Sequence, residues 1–117
     1  MKNLEIKDLK VQIQEDEILH NISLTVKEGE FLSLLGASGC GKSTLLKSIA
    51  GLQEIVSGEI SIGEKSLKGI SPENRGTVIV FQDLRLFPNM NVEKNIAFPL
   101  WVQKKSKAEQ KLVAEKL

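Results

Sequence analysis

The sequence predicts an α/β fold in which a buried parallel core adjoins an antiparallel β portion and leads into a helical arm. Three observations predict it. Continuous apolar runs at 31–35 and 77–81 read as strands covered on both faces. Alternating apolar residues near the start and again at Ile60 and Ile62 read as strands with one face in water. Between them, residues 36–43 join the first buried run to a helical pattern through a glycine-rich turn.

Taken in order, Leu4 and Ile6 alternate with polar residues, the phase slips at Lys7-Asp8, and Leu9, Val11 and Ile13 resume it. A strand that changes phase in this way is expected to carry a bulge. Ile22, Leu24 and Val26 form a second alternating set, and Glu28-Gly29 turns the chain into the run Phe31-Leu32-Ser33-Leu34-Leu35. A helix is expected from Ser43 to Ala50, with Leu45, Leu46 and Ile49 on its inner face. Ile60 and Ile62 lie between Gly58 and Gly63 as a third alternation, and Thr77 to Phe81 reads as a second buried parallel strand. From Asn91 the pattern is helical, interrupted at Pro99. The tail from Lys104 to Leu117 reads as a further helix with Ala108, Leu112 and Val113 facing inward.

The turn itself carries chemistry. Gly36-Ala37-Ser38-Gly39-Cys40-Gly41-Lys42-Ser43 matches the phosphate-binding pattern GxxxxGK[ST], and its flanks are the strand and helix that pattern requires. Gly36, Gly39 and Gly41 give the backbone conformations that let successive N–H groups turn inward as an anion cradle. The cradle opens onto a helix N-terminus, where unpaired N–H groups also favour negative charge. Lys42 is expected to contact the β- and γ-phosphates of a nucleoside triphosphate, and the Ser43 hydroxyl to ligate the Mg²⁺ that spans them. Thr44 completes the contact set. Cys40, the single cysteine, lies inside the cradle and is expected to alkylate readily unless nucleotide covers it.

Composition limits the alternatives. Charged residues make up 26% of the 117 and the net charge is +1, so no global basic field points to nucleic acid. No apolar run has the length of a membrane-spanning helix, and the polar start Met1-Lys2-Asn3-Leu4-Glu5 lacks the apolar stretch of a secretory signal. Together with a lone cysteine, this leads to the expectation of a cytosolic chain that meets a membrane only through a partner.

Further segments carry a resemblance. The run Leu24 to Phe31, then Gly36 to Leu46, Ile49-Ala50-Gly51-Leu52, Ser57-Gly58-Glu59-Ile60, Val80-Phe81-Gln82-Asp83 and Leu86-Phe87-Pro88 resemble the nucleotide-binding subunit of an ABC transporter across nearly the whole chain. Phe87-Pro88 followed by Asn91 to Ile96 is similar to the coupling region of bacterial importers. The resemblance implies a P-loop NTPase (RecA-like) core. It implies one truncated domain over 1–117, with the P-loop and β portion in 1–83 and the Q-loop region and start of a helical subdomain in 84–117. It implies binding of ATP and Mg and, in the complete protein, ATP hydrolysis that powers import of a small solute. The implied partners are a transmembrane permease, a second nucleotide-binding subunit and, indirectly, a solute-binding protein, with the chain held at the cytoplasmic face of the membrane.

The resemblance also assigns residues. Gln82 takes the place of the Q-loop glutamine, whose amide oxygen approaches Mg²⁺ and the attacking water, so Lys42 and Gln82 become the catalytic candidates and Ser43 and Gln82 the metal candidates. Leu84 to Phe87 are expected to face the permease. Ile13 aligns where many relatives stack an aromatic ring on adenine; the chain contains no tyrosine, and isoleucine offers apolar contact without a π-face.

Other residues read as ordinary. His20 is expected at the surface, Trp101 as a packing or interface residue, the tail lysines as a solvated helix face, and Asp83 as a loop cap rather than a metal ligand. No signature motif, Asp-Glu strand end or switch histidine of the family follows Gln82. Two other readings therefore stand beside ATP-driven import: a soluble P-loop ATPase without a transport role, and a nucleotide-binding module without turnover.

Overall fold

A computed structural model describes residues 2–83 and 85–116. They form two compact units, Met1–Val80 and Phe81–Leu117.

The first unit is built on a four-stranded antiparallel sheet of order β2-β1-β3-β4, with β1 at Leu4–Ile13, β2 at Asp16–Val26, β3 at Ser57–Ile62 and β4 at Lys65–Ser66. The expected slip in β1 is present. The register on β2 shifts between Ile6 and Leu9, and Asp8 takes a φ of 49°. The N–H that leaves the ladder there is not wasted, because Asp8 donates it to Ser23 Oγ at 2.9 Å. Across the bulge stands Gly58 with φ 92°, where a Cβ would lie 2.4 Å from the Asp8 carbonyl oxygen. Only glycine satisfies both the backbone angle and the approach.

Helix α1, Lys42–Ala50, packs on one face of this sheet. Ile6, Leu9, Val11, Leu19, Ile60 and Leu67 meet Leu45 in the core. Leu45 is inward as the helical spacing predicts, whereas Leu46 is exposed and Ser48 takes an inner position, with its hydroxyl donating to the Thr44 carbonyl at 2.8 Å. The helix closes as a Schellman turn: Gly51, with φ 85°, donates to Ser48 O, and Leu52 donates to Lys47 O.

The two runs read as buried parallel strands do not form strands among the described residues. Phe31 and Leu35 are 91% and 95% exposed, and Val78 and Val80 are 92% and 91% exposed. Within 77–81 the burial alternates, with Thr77, Ile79 and Phe81 partly covered and the two valines open. A parallel strand is held by neighbours on both edges and by helices on both faces. Among the described residues every strand pairing is antiparallel, and neither run has a ladder partner.

In the second unit, α2 (Val92–Val102) and α3 (Lys107–Lys116) pack together. Asn91 caps α2 by accepting from the Lys94 N–H at 2.8 Å. Pro99 does not interrupt this helix, contrary to the sequence reading. It lies in the last turn and a half, and its carbonyl accepts from Gln103 N–H at the helix end. Its missing N–H removes one ladder bond, the one to the carbonyl of residue 95, and the helix continues past that gap to Val102. Lys104, with φ 61°, ends the helix in the left-handed conformation, so α3 starts at Lys107 and not at 104. None of the described α3 residues is buried, and Leu112 and Val113 are exposed where an inward face was expected. Trp101 is likewise exposed, resting on Phe98 with ring centroids 5.8 Å apart. Of the segment expected to face a permease, Leu84 lies outside the described residues.

Candidate functional site

The glycine-rich turn leads from exposed residues 36–40 into α1, and it has the backbone that its sequence requires. Gly39 and Gly41 take φ values of 82° and 104°, the region that L side chains avoid. Gly36 is glycine for a different reason than the one expected. Its φ is not among the positive ones, but a Cβ there would lie 2.6 Å from Cys40 Sγ. Space, not backbone angle, selects it. Gly41 is buried against β2, where a Cβ would lie 2.8 Å from Leu19 Cδ2. The loop is thereby pinned to the sheet at its helix end.

Within the loop, Cys40 N–H donates to Ala37 O at 3.2 Å and closes a turn. Leu45 N–H donates to Gly41 O at 2.9 Å as the first bond of α1, so the N–H groups of Lys42, Ser43 and Thr44 precede the helical ladder. No acidic side chain occupies that first turn and no side chain caps it. An anion arriving at this end meets unspent donors and the positive end of the helix dipole.

Lys42 completes the cradle. Its ammonium donates to Gly36 O and, at 3.0 Å, to Ala37 O, so the charge is held against the loop carbonyls. These partners are neutral carbonyls, which a phosphate oxygen would outcompete for an ammonium. Ser43 is exposed beside it, with its hydroxyl open to a cation held by the same anion. The donor set fits a polyphosphate with its Mg²⁺: amides and ammonium for the anion, a hydroxyl for the cation.

The structure thus brings Gly36, Ala37, Ser38, Gly39, Cys40, Gly41, Lys42, Ser43 and Thr44 into one loop and helix end. Ile13 ends β1, pairs with Asp16 at the hairpin turn and is 40% exposed. The same hairpin passes Ile18 and Leu19 along Gly41. Gln82 belongs to the second unit, in an exposed bend. Beside it Asp83 pairs with Arg85 Nε at 3.0 Å, and Arg85 in turn covers the Phe81 ring at 4.2 Å. His20 is an exposed residue 3.3 Å from the Glu17 carboxylate, as expected of a surface position.

Two residues were missed by sequence reasoning. Arg75 donates from Nε to Ile70 O at 2.8 Å and from a guanidinium NH₂ to Ser48 O and Ile49 O, clamping the C-terminal end of α1. Asn95 ties the turn at 87–91 to α2 through both ends of its amide. Neither has a local sequence signal, because the partners are backbone carbonyls brought near by folding.

Comparison with known proteins adds one family match and three relatives of one kind. The family described as ABC transporter matches residues 19–117. The sn-glycerol-3-phosphate import ATP-binding protein of Cereibacter sphaeroides is 40% identical over 109 residues, 93% of this chain and 31% of that protein. The α-glucoside transport ATP-binding protein of Rhizobium meliloti is 42% identical over 109 residues, 93% of this chain and 30% of that protein. The spermidine/putrescine import ATP-binding protein of Thermotoga maritima is 44% identical over 104 residues, 89% of this chain and 28% of that protein. The chain spans about a third or less of the length of these relatives.

Proposed function

Because the chain belongs to the ABC transporter family, we propose that residues 36–44 bind Mg-ATP and that, in a complete domain, hydrolysis of that ATP powers import of a small solute through a separate membrane permease. The observation that carries this reading is the loop itself, which sets Gly39 and Gly41 in left-handed backbone and the Lys42 ammonium beside the uncapped N-terminus of α1. The relatives named for import supply the transport half of the proposal, and their differing solutes leave the solute open.

In this reading the loop amides and the first N–H groups of α1 hold the phosphates, and Lys42 exchanges its loop carbonyls for β- and γ-phosphate oxygens. Ser43 would hold Mg²⁺ through its hydroxyl, and the ion would supply charge neutralisation at the phosphate oxygens. Gln82 is proposed, on its sequence match, to orient the attacking water. A neutral amide can do so without the repulsion a carboxylate meets from the γ-phosphate. Ile13 is proposed as an apolar contact for the base. The proposed assembly pairs two copies of the nucleotide-binding subunit with the permease, and a solute-binding protein acts through that permease. The proposed location is the cytoplasmic face of the membrane. No helix among the described residues is long and apolar enough to cross one.

Calorimetry of Mg-ATP binding to the chain and to Lys42→Ala tests the core of the proposal. Losing a charge-assisted contact should weaken binding by about tenfold or more, with the circular dichroism spectrum unchanged. Equal affinity in the two proteins would remove Lys42 from the site.

A further inference from the structure

Away from the phosphate loop, the first unit contains a cavity of about 330 Å³ whose walls include Ile55, Ile60, Leu67, Glu54, Lys68 and Arg75. Its volume lies at the lower end of the range for small-molecule sites.

Arg75 gives it chemical character. The residue is partly buried, and every hydrogen bond it makes among the described residues goes to a neutral backbone carbonyl: Ile70, Ser48 and Ile49. No carboxylate pairs with it among the described residues. Arginine is seldom buried without a counter-charge, and the negative end of α1 offsets only about half of one. The Nε and one NH₂ group are engaged, whereas the other NH₂ group makes no hydrogen bond among the described residues. The guanidinium is also fixed in place. A Cβ at Gly51 would lie 2.6 Å from its Nε, so glycine at the helix end is what admits it. A pre-positioned cation that keeps one unspent NH₂ group thus lines a cavity whose wall includes aliphatic side chains.

We propose that this cavity binds a small aliphatic monocarboxylate, with its carboxylate on Arg75 and its alkyl body against Ile55, Ile60 and Leu67. Lys68 adds positive charge at the rim. Glu54 on the same lining repels multiply charged anions, so phosphate and nucleotides are disfavoured here while they are favoured at residues 36–44. The site is separate from the one proposed for ATP and does not depend on it.

The test is a nuclear magnetic resonance titration of the full ¹⁵N-labelled chain with 4-methylpentanoate, without nucleotide. Controls are the uncharged 4-methylpentanamide and inorganic phosphate. The carboxylate should produce saturable shifts at the amides of Gly51, Lys68 and Gly69 with a Kd of about 1 mM or below, and both controls should bind there at least about tenfold more weakly. Lys68→Ala, a change at an exposed side chain, should weaken the carboxylate severalfold and leave the spectrum otherwise intact. Equal affinity for the amide, shifts confined to residues 36–44, or no saturation by about 20 mM carboxylate would each overturn the proposal.

Discussion

The side chain of Asn95 is hydrogen-bonded to Phe87 at both ends of its amide: Oδ1 accepts the Phe87 N–H at 2.9 Å, and Nδ2 donates to the Phe87 carbonyl at 3.3 Å. The same Nδ2 reaches the carbonyls of Met90 and Asn91 at 3.1 and 2.9 Å. One residue of α2 therefore holds the whole turn before it, including Phe87, whose ring lies 4.5 Å from that of Phe98. Asn95→Ala should cost about 2 kcal/mol, since each lost bond is worth roughly 0.5–1.5 kcal/mol. Asn95→Asp should not restore it, because a carboxylate would face three carbonyl oxygens. Urea denaturation followed by the fluorescence of Trp101, the single tryptophan, reads this unit directly.

The bulge in β1 gives a second prediction, with its own control. Gly58 and Gly29 share positive φ, at 92° and 80°, but a Cβ at Gly29 meets nothing within 4 Å, whereas one at Gly58 collides with Asp8 and Leu9 backbone. Gly29→Ala should cost about 1–2 kcal/mol for the backbone angle alone. Gly58→Ala should cost clearly more, as the two strands must separate. Similar losses for the two variants in thermal unfolding would show that the approach at Gly58 relaxes freely.

Much of this architecture was legible in the residues. The phase slip at Lys7-Asp8 marks the bulge, alternation marks the antiparallel strands, and Gly39 and Gly41 mark the left-handed turn into α1, because each signal is local and each answers a local demand on the backbone. The runs 31–35 and 77–81 were read as buried strands, and among the described residues they are neither paired nor covered on both faces. Apolar content on both faces states what a strand needs, and whether neighbours meet that need is decided elsewhere. Thr77 carries the same lesson at atomic scale, with a buried Oγ1 that has no hydrogen-bond partner among the described residues. Pro99 misled for a different reason: one lost ladder bond does not by itself stop a helix, and this one ends at Lys104 in a conformation rare outside glycine.

Cys40 supplies a third prediction. Its side chain is exposed, and its Sγ lies in the space beside Gly36 within the loop proposed to wrap the phosphates. Iodoacetamide should label it readily, and saturating Mg-ATP should slow labelling severalfold, with both rates read by mass spectrometry. Labelling that proceeds at the same rate with nucleotide bound would place the thiol on the outer side of the loop.

At Ile13 the expected gain is in base recognition. The residue is partly exposed on the hairpin that flanks Gly41, so an aromatic ring can be added there without displacing core. Ile13→Tyr should tighten ATP binding by about 1 kcal/mol, roughly fivefold, and should alter the preference for ATP over GTP. A titration in which neither quantity moves would remove Ile13 from the base site.

Turnover separates binding from catalysis. The proposed chemistry calls on Lys42, Ser43 and Gln82 within this sequence, and the resemblance calls also on a signature motif, a metal-anchoring aspartate and a glutamate base that do not follow Gln82 in it. Groups of that kind act on the transition state, and removing a single well-placed one costs about 3–4 kcal/mol in rate while ground-state binding survives. The 117-residue chain is therefore expected to bind Mg-ATP through its cradle and to release phosphate at or near the background rate. A longer protein carrying these residues together with the missing motifs should hydrolyse ATP, and Gln82→Ala in it should lower kcat by about tenfold or more with little change in ATP affinity. Steady-state phosphate release decides the matter. Robust turnover by the 117 residues alone, abolished by Lys42→Ala, would demand a general base among residues to which no such role is given above.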